Sequence, residues 1–182
     1  MSHFLIFLGA LSRILPHPAN FTPVTALALF GGSHLPKKQA ILVPLLAMII
    51  SDVGLFILAG YPLMVWSTFF VYASLALISI LGMWLKTNTT FSRFLLCSIS
   101  SVALFFVVTN FGVWIADRLY PTTFGGLVEC YIAAIPFVRN SLFGDLAWMI
   151  ILFGSFSLLH GKKNLIVESR AQSKPLITAQ KI

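Results

Sequence analysis

Charge is scarce in this sequence, and acid is scarcer than base. Of 182 residues only 9% are charged, with 5 Asp plus Glu against 12 Lys plus Arg. Water-soluble domains carry about 25% charged residues, so a soluble globular fold is excluded. Disorder is excluded too, because it needs low hydrophobicity and this chain is 58% hydrophobic. Cysteine is equally sparse. Cys97 and Cys130 form no C-x-x-C pair, so neither a disulfide framework nor a zinc site is legible. H-E-x-x-H, G-x-S-x-G and the P-loop are all missing, which removes the common zinc hydrolase, serine hydrolase and phosphate-cradling chemistries. No cofactor, metal site or nucleic-acid partner is expected. The formal charge of +7 is instead read as cationic ends facing an anionic lipid leaflet.

What is present is apolar sequence in long runs. A bilayer core of about 30 Å needs roughly 20 apolar helical residues. Ala40–Ala59, Pro62–Leu85, Phe94–Ala116 and Asn140–His160 meet or approach that length, each bounded by turn or charge signals. Two shorter runs precede them, Phe4–Leu15 and Phe21–Phe30, separated by Pro16-His17-Pro18 and closed by Gly31-Gly32. As helices they are roughly 18 Å and 15 Å long. They are either two short tilted spans or a hairpin that enters and returns. No Lys or Arg precedes the first run, which argues against a cleaved signal. Tyr120–Val138, with Pro121, Gly125-Gly126 and Pro136, predicts a short helix and loop at one membrane face. The expected fold is an all-α polytopic membrane protein of about six transmembrane helices. Residues 1–161 form the membrane domain and residues 162–182 a cytoplasmic polar tail.

Orientation follows from basic residues in the connections. With both termini cytoplasmic, nine cations lie inside (Lys37, Lys38, Lys86, Arg93, Lys162, Lys163, Arg170, Lys174 and Lys181) and three outside (Arg13, Arg118 and Arg139). The parity is the same whether the first two runs span or re-enter. Asn88-Thr89-Thr90 fits the N-glycosylation pattern but falls on the inner side.

Ionisable groups inside spans are costly and so are functional candidates. Asp52, Asn110 and Asp145 each lie roughly 10 Å below the outer ends of three different helices. One depth shared by three helices predicts a polar floor under an outward cavity. Each residue taken singly also fits interhelical hydrogen bonding. Trp114 lies one turn from Asn110 and is expected on the same face. Trp66, Tyr120 and Tyr131 fall near the outer face, where an interfacial aromatic belt is the competing reading. Arg139-Asn140 opens the last predicted helix, where a cation and free amides could hold an anionic group; a snorkelling arginine fits equally well. His17 and Asn20 flank the proline break on the same side. Cys130 is read as a small packing residue, with a thiolate ligand the alternative, and Cys97 as packing. Thr22, Ala26, Ala28, Gly31 and Gly32 allow close helix contact, within the chain or with another membrane subunit.

Four stretches carry a family resemblance: Arg13–Gly32 (RILPHPANFTPVTALALFGG), Pro44–Asp52 (PLLAMIISD), Phe105–Trp114 (FFVVTNFGVW) and Cys130–Asn140 (CYIAAIPFVRN). They resemble an uncharacterised bacterial membrane family described as transporters. That family is in turn similar to the S-components of energy-coupling factor (ECF) vitamin transporters, in its six-helix order, short second helix and third-helix aspartate. The resemblance implies an ECF S-component-like fold in the bacterial cytoplasmic (inner) membrane. It also implies a vitamin-like micronutrient bound from outside, a subunit that topples to release it, and an ECF coupling protein with ATPases as partners. Thr109–Pro121 is similar to a helix end of the solitary S-component-like vitamin B12 transporters. Those bind cobalt through a cysteine, and the matching stretch here, Pro62–Thr68, has none. Phe4–Leu15 offers Gly9, Ala10 and Ser12 where S-components show Ala-x-x-x-Ala.

The resulting expectation is a binding protein for micronutrient uptake, not an enzyme, with Asn110, Trp114, Arg139, Asn140, Asp52, Asp145, Asn20 and Trp66 lining the substrate site. The alternatives are a membrane-embedded enzyme using Asp52 and Asp145 as an acid–base pair, and a structural or assembly protein with a filled interior.

Overall fold

The structure is a computed structural model that describes residues 1–16, 21–86 and 90–172, with the backbone alone at 91 and 160–172. Six helices follow one another: α1 (Ser2–Ile14), α2 (Val24–His34), α3 (Lys37–Ala59), α4 (Thr68–Leu85), α5 (Phe91–Ala116) and α6 (Phe124–Gln172). Four of them, α3 to α6, are long and apolar enough to cross a membrane. Their outward faces keep large apolar side chains exposed, among them Ile49, Ile57, Leu77, Leu96, Ile132 and Ile150. Such a surface matches lipid and not water.

The core is built around the shortest helix. Every residue of α2 from Val24 to Ser33 is buried, and a helix that is apolar on all sides belongs inside. It packs against α3, α4, α5 and α6. The backbones of α2 and α4 approach tightly where Gly32 faces Gly82. A Cβ on Gly32 would lie 2.1 Å from the Ser79 carbonyl oxygen, and one on Gly82 would lie 2.3 Å from that of Leu29. The small-residue stretch of α2 therefore serves packing inside the chain at this crossing. Gly31-Gly32 does not end the helix, which continues to His34, because the neighbouring backbone holds it in place.

Local signals explain several boundaries. Gly60 closes α3 in the left-handed conformation, φ 69°, which only glycine adopts without cost. Thr90 caps α5 by accepting the Arg93 backbone N–H. Asp117, at the end of α5, accepts the Ser67 backbone N–H at 2.9 Å and so ties that end to the start of α4.

Two expectations are corrected. The span predicted from Pro62 begins at Thr68, because Gly60, Tyr61 and Pro62 lead into an irregular connection through Ser67. The region Tyr120–Val138 is not a short helix and loop; α6 starts at Phe124 and is continuous with the span expected from Asn140. Pro136 lies inside that helix, where apolar surroundings favour keeping every other backbone bond intrahelical. The same helix continues to Gln172. Residues 173–182 lie outside the described part.

Candidate functional site

Between the six helices, towards the end that carries the α3–α4 connection, lies a cavity of about 470 Å³. Every helix contributes to its wall: Arg13 from α1, Thr25 from α2, Met48 and Asp52 from α3, Val71 from α4, Phe105, Phe106 and Asn110 from α5, and Phe137, Ser141 and Asp145 from α6. Such a volume lies within the range of about 300–1,000 Å³ common to small-molecule sites.

Asp52 is the centre of one polar group. Its Oδ1 accepts from Arg13 Nη1 at 2.7 Å, and its Oδ2 accepts from the Tyr72 hydroxyl at 2.7 Å. The Arg13 Nη1 also reaches the Ser51 hydroxyl and the Met48 carbonyl. Three helices are thereby tied by one ion pair, whose side chains are 19% and 15% exposed. Charge-assisted bonds of this kind are about twice as strong as neutral ones. The bonds of Arg13 to Met48, Ser51 and Asp52 all use Nη1, so Nε and Nη2 have no protein partner among the described residues.

Asp145 forms the second group. It is 3% exposed. The Thr25 hydroxyl donates to its Oδ1, and the Ala26 backbone N–H donates to the same carboxyl group. Thr25 and Ala26 belong to the first turn of α2, and the N-cap Pro23 before it supplies no side-chain cap. Free amides in a first helical turn require acceptors, and Asp145 supplies one from another helix.

The three polar residues expected at one depth, Asp52, Asn110 and Asp145, thus share one wall. Asn110 bonds its own helix, Nδ2 donating to the Phe106 carbonyl at 2.8 Å. The other candidates fall elsewhere. Trp114 is half-buried and donates its indole N–H to the Pro121 carbonyl at 2.9 Å, pinning the chain after α5. Trp66 is 81% exposed in the α3–α4 connection. Arg139 is exposed and lies over the Phe143 ring at 6.0 Å. It is not at a helix start, because α6 begins fifteen residues earlier at Phe124. Asn140 is half-buried beside it, and neither belongs to the cavity wall. Asn20, like His17, lies outside the described residues. Cys130 is buried and its thiol reaches the Asn110 carbonyl at 3.5 Å, while the Tyr131 hydroxyl donates to the Val107 carbonyl at 2.7 Å. Both therefore join α6 to α5.

Arg13, Thr25 and Tyr72 were missed by sequence reasoning. Arg13 did carry a signal: a lone arginine in an apolar run needs an acid, and few acids lie within the spans. Thr25 and Tyr72 had none, since threonine and tyrosine are ordinary in apolar helices.

Residues 1–170 match the model of DUF6580, a family of unknown function. No curated protein and no solved structure matches the chain. The chain belongs to DUF6580.

Proposed function

We propose that this DUF6580 member is a membrane-embedded binding protein for uptake of a small, vitamin-like micronutrient, acting as a substrate-binding subunit or as a solitary transporter. The observation that carries the reading is the cavity of about 470 Å³, walled by all six helices and furnished with a hydrogen-bonded ion pair. A bundle serving only structure has no use for such a space at the level of Asn110. Acid–base chemistry would need a carboxyl group free to exchange protons with a substrate. Both oxygens of Asp52 are taken by Arg13 and Tyr72, so Asp52 and Asp145 do not form a free acid–base pair. Binding is therefore favoured over catalysis. The Nε and Nη2 of Arg13, without a partner among the described residues, are donors suited to a carbonyl or anionic group of the ligand.

The S-component resemblance supplies the rest of the proposal. Six crossings, with α1 and α2 as short tilted ones, put both termini in the cytoplasm and open the cavity outward. The basic residues Lys37, Lys38, Lys86 and Arg93 then mark the inner face. An ECF coupling protein with its ATPases would energise release, unless the chain works alone. The test is to purify the protein from its native membrane, extract bound small molecules and identify them by mass spectrometry. A stoichiometric metabolite, reduced in Asn110→Ala and Asp52→Asn, is the expected result. Absence of any such molecule, with no vitamin-like compound raising the unfolding temperature, would sink the reading.

A further inference from the structure

The two acids of the cavity wall differ in one respect that bears on the ligand. Asp52 is neutralised by Arg13. Asp145 forms no ion pair with any described lysine, arginine or histidine, although it is 3% exposed and reaches the cavity. Its two protein donors, the Thr25 hydroxyl and the Ala26 amide, are both uncharged. A buried carboxylate is costly unless paired, and neither donor brings a full compensating charge. With Asp145 ionised, the wall carries one negative unit that no described side chain balances, and a cation in the cavity would supply the balance. A second feature points the same way. Phe105, Phe106 and Phe137 line the same space, and the negative face of an aromatic ring attracts cations, most strongly where water is excluded.

We propose that the ligand carries a cationic nitrogen, a protonated or quaternary amine, which pairs with Asp145 against these phenylalanine rings. The inference rests on the cavity being a binding site, and it names the class of molecule bound there. The ligand's remaining polar atoms face the guanidinium edge of Arg13, which lines the same cavity. A quaternary or protonated amine supplies the charge that the protein itself leaves out, and the size of the cavity admits an organic cation and not only a bare ion.

The test uses the full chain in lipid nanodiscs and two fluorescent probes of equal shape. One is a dimethylaminostyryl-N-methylpyridinium dye, a fixed cation. The other is its neutral dimethylaminostyrylpyridine parent, in buffer alkaline enough to keep it unprotonated. A charge-assisted contact predicts that the cation binds about tenfold or more tighter than the neutral parent. Asp145→Asn keeps the acceptor for Thr25 and should bring the two affinities together, whereas Asp145→Glu should retain the preference. If Asp145→Asn does not fold, Phe106→Leu answers in its place, lowering cation affinity about threefold while sparing the neutral probe. Equal binding of both probes to the wild type, or a preference that survives in Asp145→Asn, overturns the proposal but leaves a binding cavity. Failure of both probes to saturate overturns the proposal and the cavity reading together.

Discussion

Gly82→Ala offers a sharp test of the packing account, because one methyl group is asked to occupy space held by backbone. A Cβ on Gly82 would meet the Leu29 carbonyl oxygen at 2.3 Å, the Gly32 Cα at 2.9 Å and the Leu29 carbonyl carbon at 3.0 Å. The oxygen contact is about 1 Å short of ordinary van der Waals separation. All three atoms are main chain, so no rotamer change relieves the clash and α2 must move away from α4. Overpacking of this kind costs about 1–3 kcal/mol, and the upper part of that range applies where helices must part. The better helix propensity of alanine returns up to about 1 kcal/mol. The net expectation is a loss of about 2 kcal/mol. Gly154→Ala is the matched control, since its Cβ would meet nothing within 4 Å. It should be neutral or raise stability by up to about 1 kcal/mol. Reversible unfolding of both variants in one detergent, followed by tryptophan fluorescence and circular dichroism, measures the difference. If Gly82→Ala is as stable as Gly154→Ala, the α2–α4 crossing is not as tight as described. The reasoning that places α2 at the centre of the bundle then fails with it.

Three further outcomes are expected. Arg13→Met leaves the Asp52 carboxylate with Tyr72 alone and should cost about 2–4 kcal/mol, part of which the double variant Arg13→Met/Asp52→Leu regains; additive losses in unfolding experiments would show that the pair is uncoupled. Trp114→Phe removes the indole bond to Pro121 and should cost about 1 kcal/mol while leaving ligand affinity unchanged, because Trp114 is not part of the cavity wall; a large loss of affinity in a titration would return Trp114 to the site. With Cys97 and Cys130 replaced by alanine, a cysteine at Tyr61 should react with a membrane-impermeant maleimide on intact cells and one at Lys86 should not. The reverse pattern refutes the proposed orientation.

Much of the architecture was legible because hydrophobic length is a strong signal. α3 and α5 were located to within a few residues, since Lys37-Lys38, Gly60, Thr90 and Asp117 punctuate them physically. α6 was misjudged at its start. Gly125, Gly126 and Pro136 read as breakers in water, but the helix passes through all three. The cavity was partly legible, because few acids lie in apolar sequence and a common depth linked Asp52, Asn110 and Asp145. Helical spacing failed for Trp114. It does lie one turn from Asn110, yet its side chain is drawn off to Pro121, a long-range partner that periodicity does not encode. The helix start inferred beside Arg139 does not exist, because α6 is already fifteen residues long there. The partners of each aspartate, Tyr72 on α4 and Thr25 on α2, arise only when separate helices pack.

The central claim is that the space between the six helices holds a small molecule. Native mass spectrometry of the protein released from its own membranes measures this most directly, with Ala134→Phe as a variant that fills the cavity wall. The account predicts a single small-molecule adduct at one copy per chain on the wild type and its loss from Ala134→Phe, with the fold of both intact by circular dichroism. An adduct of the same mass and occupancy on the filled variant would contradict it, as would a wild type that carries no adduct and acquires none from a cell extract.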